Sequence, residues 1–285
     1  MIRMLTIVVA ALLFGATTAE SLSLSEISEN THVHGIAVDL RDPARIHLAT
    51  HHGFFAVGPD GSATRLSETG DDFMGFTPHP SDPSLLYASG HPVGGGAMGI
   101  IASADGGKTW RQIATGVNGP VDFHQMDVSR ADPKVIYGVH GGLQVSRDGG
   151  QTWQRAAGRL PDGLIDLAAS ARDANTLYAA TKGGLLISRD GGGSWQPASM
   201  FKRPVTMVQA AAAGTVYAFV YGSGLIMTTE PGLDWKLISE GFGDSYILHL
   251  AADPADPAKL YAVTDQGKVL ASTDSGRTWS AFGSP

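Results

Sequence analysis

A fixed repeat constrains the architecture of a chain before any local propensity is weighed. Here an eight-residue phrase recurs as Ser103-Ala-Asp-Gly-Gly-Lys-Thr-Trp110, Ser146-Arg-Asp-Gly-Gly-Gln-Thr-Trp153, Ser188-Arg-Asp-Gly-Gly-Gly-Ser-Trp195 and Ser272-Thr-Asp-Ser-Gly-Arg-Thr-Trp279. A degraded copy is Thr228-Thr-Glu-Pro-Gly-Leu-Asp-Trp235. The tryptophans are 43, 42, 40 and 44 residues apart. Strand-rich units with a period in the low forties are propeller blades rather than helical solenoid repeats.

Each copy joins two apolar runs, as a hairpin turn does. The Asp carboxylate can accept from nearby backbone N–H groups, Gly permits positive φ, and Ser/Thr with Trp restart a strand. A second phrase, Asp-Pro-x-x-Leu/Ile-Tyr/His, precedes each turn at Asp42, Asp82, Asp132 and Asp256, with a near copy at Asp173 and a shortened one at Gly214. Asp-Pro starts a tight turn, and the run after it alternates as a strand should. The count predicts an all-β fold: one β-propeller of six four-stranded blades, with seven as the alternative. The blades span about 31–69, 70–118, 119–160, 161–202, 203–243 and 244–285. Residues 20–30 are expected as an N-terminal segment whose Leu22 to Ile27 forms a ring-closing outer strand.

The repeated phrase resembles the Asp-box, or BNR repeat, found in sialidases, sortilin-type receptors and photosystem II assembly factors. The chain is also similar to exported bacterial propellers labelled glycosyl-hydrolase-like. In those families the box braces the fold and is not catalytic. The resemblance therefore implies a fold and leaves the chemistry open.

Composition narrows the class. The 285 residues suit one large domain, there is no cysteine, and the net charge is −7. This charge balance gives no support to a nucleic-acid partner. Residues 1–19 read as an export signal, with an apolar run from Leu5 to Ala16 too short to span a bilayer. The expected location is periplasmic or secreted, without a membrane span after cleavage, and the expected state is a monomer.

The blade pattern also predicts polarity. Asp-boxes and Asp-Pro turns fall on one rim, the bottom, whereas inner-strand starts and second-strand ends fall on the other, the top. Seven of ten histidines map to the top of the first three blades: His32, His34, His51, His52, His91, His124 and His140. Aligned on the blades, Asp72 and Asp122 match His32, and Met74 and His124 match His34. Imidazole and carboxylate suit transition metals, and thioether favours copper. The expected site is therefore a copper or zinc centre, or a small-ligand pocket, held by these ten residues. It would serve metal handling or the assembly of a protein partner.

The alternative is a sialidase-like glycoside hydrolase. Candidate catalytic residues are the carboxylates Asp72 and Asp122, or Tyr246 (or Tyr221) as a nucleophile paired with Glu240. Three top-face arginines, which would hold a sialic acid carboxylate, are not available, because most arginines map to bottom turns.

Overall fold

The computed structural model describes residues 22–283, so the expected export signal lies outside the described residues. Six antiparallel sheets form the blades. Their innermost strands are Val33–Val38, Asp72–Pro78, Gln125–Val128, Leu164–Ala169, Val205–Ala210 and Ile247–Ala252. These strands contact one another in sequence right round a central channel, blade 6 against blade 1 included. In every blade the chain then meanders outward through three further strands. Apolar residues from facing blades interlock at each seam, so no blade buries its core alone.

The bottom rim is built by the repeat. In blade 2, Asp105 Oδ1 accepts from the N–H groups of Lys108 and Thr109, both at 3.0 Å. Its Oδ2 accepts from the Thr109 hydroxyl at 2.6 Å, and Ser103 Oγ accepts from Gly107 N–H at 2.8 Å. Trp110 Nε1 closes the turn onto the Gly107 carbonyl at 2.9 Å. The boxes of blades 3, 4 and 6 repeat the Asp and Ser bonds. These bonds hold Asp105, Asp148, Asp190 and Asp274 down at about 2. At Asp105 the bonds outweigh the opposing effect of burial. Box turns also bond to the Asp-Pro turn of their own blade, as from Gly149 N–H to the Lys134 carbonyl. Both turns therefore share one rim, as expected.

Blade 5 departs from this pattern. Its degraded box places Glu230 where Asp would stand, and Glu230 turns across the seam. It accepts from Tyr178 Oη at 3.0 Å and from Ala171 N–H at 3.2 Å.

Ring closure corrects the expectation for residues 20–30. Only Leu22–Ser23 is a strand, and it adds to the outer strand Ser62–Arg65 of blade 1. Leu24–Asn30 is a short helix instead, started by a Ser23/Glu26 capping box. Blade 6 supplies all four of its own strands, so blades 1 and 6 exchange none. Leu24 and Ile27 of the helix pack with Tyr261, Val263 and Val269 of blade 6, and with Phe282. At the other five seams a box tryptophan packs in. Blade 1 has no such tryptophan, and the helix takes its place.

Candidate metal centre

Inner strands carry a recurrent bulge. The pairing slips between Val33 and Gly35, Leu164 and Asp166, Val205 and Met207, and Ile247 and His249. The bulged residues His34, Ile165, Thr206 and Leu248 all line the central channel. A bulge re-aims the extra residue away from strict alternation. This is why His32 and His34, two residues apart in the chain, do not share a face. His32 is exposed on the rim, with its ring 5.6 Å from that of His51, whereas His34 faces the channel.

Two half-buried carboxylates gather four of the imidazoles, one at the seam of blades 1 and 2 and one at the seam of blades 2 and 3. At the seam of blades 1 and 2, His51 Nδ1 lies 2.7 Å from Asp72 Oδ2, and His34 Nε2 lies 3.5 Å from Asp72 Oδ1. Ligand atoms of His34, His51 and Asp72 all fall within 4.8 Å of one another. His34 Nε2 and Asp72 Oδ1 are buried without a hydrogen-bond partner. Burial pushes His34 down to about 4, against the pull of Asp72, so its imidazole is neutral at pH 7 and able to ligate. His52 stands aside, with Nδ1 bonded to Thr31 Oγ1 at 3.1 Å.

At the seam of blades 2 and 3, His91 Nε2 and His124 Nε2 lie 2.9 and 3.0 Å from Asp122 Oδ2. His91 Nδ1 meets the Gly96 carbonyl at 2.6 Å. Two acceptors satisfy both ring nitrogens only when both carry protons. The Gly96 bond and Asp122 accordingly raise the His91 pKa against a smaller effect of burial. The Gly96 bond ties the glycine-rich loop after His91 over this seam. Asp122 Oδ1 is buried and unpartnered.

His140 bonds differently. It lies three residues after Tyr137, whereas His91 lies four after Tyr87 and His51 four after His47. It therefore meets the backbone of Asp122, with Nδ1 3.1 Å from the carbonyl, instead of a carboxylate. Met74 is buried in the strand pair opposite Ser89. The pairing of Tyr246 with Glu240 is not formed: among the described residues Tyr246 meets Tyr221 edge to face at 5.6 Å, and no side-chain bond reaches Glu240.

The channel below holds three further titratable groups, His249, Asp127 and Asp166. His249 lines it and is pushed down to about 4 by burial. Asp127 accepts from Thr77 Oγ1 of blade 2 at 3.2 Å and from Ala169 N–H of blade 4 at 2.9 Å. Asp166 accepts from Val208 N–H of blade 5 at 2.9 Å. Burial raises both acids, Asp166 to about 7. The signal for them was an acid inside an otherwise apolar inner strand.

Comparison with known proteins agrees with the architecture. The BNR/Asp-box repeat model matches residues 144–155. No curated protein sequence matches the chain. Among solved structures, a GH74 xyloglucanase from Xanthomonas campestris is similar at TM-score 0.60 and 18% identity, over 92% of this chain and 46% of that one. The chain thus spans about half the xyloglucanase's length. YCF48 bound to D1 peptide is similar at TM-score 0.55 and 16% identity, over 92% of this chain and 84% of that one. An extracellular domain assigned to a hybrid two-component system of B. thetaiotaomicron gives TM-score 0.58 and 12% identity, over 90% and 34%. At these identities the likeness is one of fold. The chain is a six-bladed β-propeller that carries a BNR/Asp-box repeat at residues 144–155.

Proposed function

We propose that this is an exported propeller that binds a transition metal, copper or zinc, at the seam of blades 1 and 2, with His34, His51 and Asp72 as its protein ligands. One observation carries the reading: three donors converge, and two of their buried atoms, His34 Nε2 and Asp72 Oδ1, lack any hydrogen bond. Buried polar atoms normally find partners, and an unpaired facing couple is costly unless something binds between them. A neutral imidazole, a second imidazole and a carboxylate form a donor set suited to zinc or copper(II). Three protein donors leave a coordination position for an exogenous ligand. His32 and His52 flank the group on the solvent side.

The role fits a metal-handling or assembly scaffold. The YCF48 neighbour holds a peptide, which supports a protein or peptide partner for a propeller of this size. The extracellular-domain neighbour and the apolar N-terminal run support export. Among the described residues no helix is long and apolar enough to cross a membrane. The hydrolase alternative gains nothing from the site: Asp72 and Asp122 are each held by imidazoles, and the tyrosine and Glu240 are not joined.

Isothermal titration of untagged, chelator-treated protein with Zn²⁺ and Cu²⁺ tests the reading. One site tighter than about 1 μM is expected, weakened at least tenfold by His34→Ala or His51→Ala. Binding weaker than this, or unchanged in both variants, overturns it.

A further inference from the structure

The top rim of blades 5 and 6 carries different chemistry. Four large hydrophobic residues are exposed among the described residues, and three of them, Met200, Tyr221 and Leu237, gather here. Leu237 lines a groove of about 450 Å³ together with Phe201, Phe242, Glu240, Ser245 and the Gly222–Gly224 turn, and Met200 and Tyr221 are the chain neighbours of its lining residues Phe201 and Gly222. Phe242 is braced from below, edge to face on Phe219 at 5.1 Å. Tyr221 and Tyr246 are the chain neighbours of the lining residues Gly222 and Ser245, their rings meet edge to face at 5.6 Å, and Tyr221 is 49% exposed. Neither tyrosyl hydroxyl has a hydrogen bond among the described residues, and the Glu240 carboxylate has none either. Arg203 reaches the same turn, donating to the Gly222 carbonyl at 3.1 Å.

The composition selects a ligand class. A purely aliphatic ligand would desolvate Glu240 and the tyrosyl hydroxyls without repaying them. A strongly charged ligand has no single-sign field to meet, because Glu240 lines the groove while Arg203 reaches its Gly222 turn, and Asp244 and Lys202 follow and precede them in the chain. A molecule with apolar C–H faces and many uncharged hydroxyls satisfies both parts: the faces lie on the rings, and the hydroxyls bond to Glu240, Arg203 and the tyrosines.

We propose that this groove binds a neutral oligosaccharide, without cleaving it. Tyr221 supplies the platform against which one sugar ring stacks, and Glu240 accepts from its hydroxyls. The groove's size is that of an ordinary small-ligand site. It lies on blades 5 and 6, away from the metal ligands of blades 1 and 2, so its occupancy is independent of the metal reading.

Titration of the metal-free full chain with cellotetraose, mannotetraose and maltotetraose, with tetragalacturonate as the charged control, tests the proposal. At least one neutral tetrasaccharide is expected to bind saturably. Tyr221→Ala is expected to weaken it tenfold or more, Tyr221→Phe far less, and Glu240→Gln severalfold, with His34→Ala unchanged. Tyr221 is half exposed, so its variants should keep the wild-type melting temperature, which is checked alongside. Failure of all three neutral sugars to bind, preference for tetragalacturonate, or binding indifferent to Tyr221→Ala overturns the proposal.

Discussion

The two rims of this propeller are made from the same blades and have opposite characters. On the bottom rim, four blades repeat one bonding pattern in which a carboxylate and a hydroxyl brace the turn, and in three of them the box indole also bonds to it. On the top rim no blade repeats another fully. His51 and His91 reach the carboxylate of the next blade, but the series ends at blade 4, where Gly163 occupies the place of Asp72. Blades 5 and 6 place Tyr221 against Tyr246 in the same relation. Among the described residues, the box carboxylates of the bottom rim are all bonded and only the Trp195 indole is left buried without a partner, whereas the top rim leaves carboxylate and imidazole atoms, His34 Nε2, Asp72 Oδ1 and Asp122 Oδ1, buried and unpaired. Regularity marks what holds the ring together, and the converging unpaired carboxylate and imidazole atoms mark where a ligand would be bound.

This contrast can be broken by mutation. The largest stability loss is expected for Trp153→Ala, which removes an indole packed on Phe123 and a bond to the Gly150 carbonyl. A loss of about 3–5 kcal/mol is expected by chemical denaturation. Next comes Asp148→Ala, which strips the blade 3 turn of its acceptor. Its melting temperature should fall clearly, whereas His52→Ala or His140→Ala on the top rim should leave it within about a degree. Equal losses on both rims would erase the distinction.

Smaller effects come from pH. Asp166 is raised to about 7 when folded, against about 3.9 unfolded, so the folded state holds more protons between those values. Its contribution to stability is therefore present at acid pH and declines as pH rises from about 4 to about 7. Asp166→Asn should flatten that decline. His249 acts in the opposite sense. Its folded value of about 4 lies below the unfolded value of about 6.5, so its contribution is present above pH 6.5 and is lost as pH falls toward 4. His249→Gln should remove that acid-side loss. Melting curves from pH 4 to pH 8 read both effects, and an unaltered slope in either variant contradicts the assignment.

Much of the fold was legible because the repeat is written in the chain. Tryptophan spacing gave the blades, and Asp-Pro with the box gave the rims. The seam between blades 6 and 1 was not legible. Leu22 to Ile27 alternates well enough for a strand, but the Ser23/Glu26 box and the void left by an absent tryptophan favour a helix. Alignment found the top-rim histidines, since equivalent positions in successive blades are neighbours in space. It could not sort them. The bulge at His34 and the one-residue shortening before His140 change where a side chain points without changing the residue pattern. Glu240 and Tyr246 lie near each other in sequence, yet Tyr246 packs edge to face on Tyr221 and makes no side-chain bond to Glu240.

The most direct test of the central claim is the metal content of untagged protein, measured by mass spectrometry after loading with zinc or copper and desalting. The wild type should retain about one ion per chain, and a His34→Ala/His51→Ala/Asp72→Ala variant that still melts as a folded propeller should retain almost none. Equal retention by the two proteins, or none by the wild type, would contradict the account.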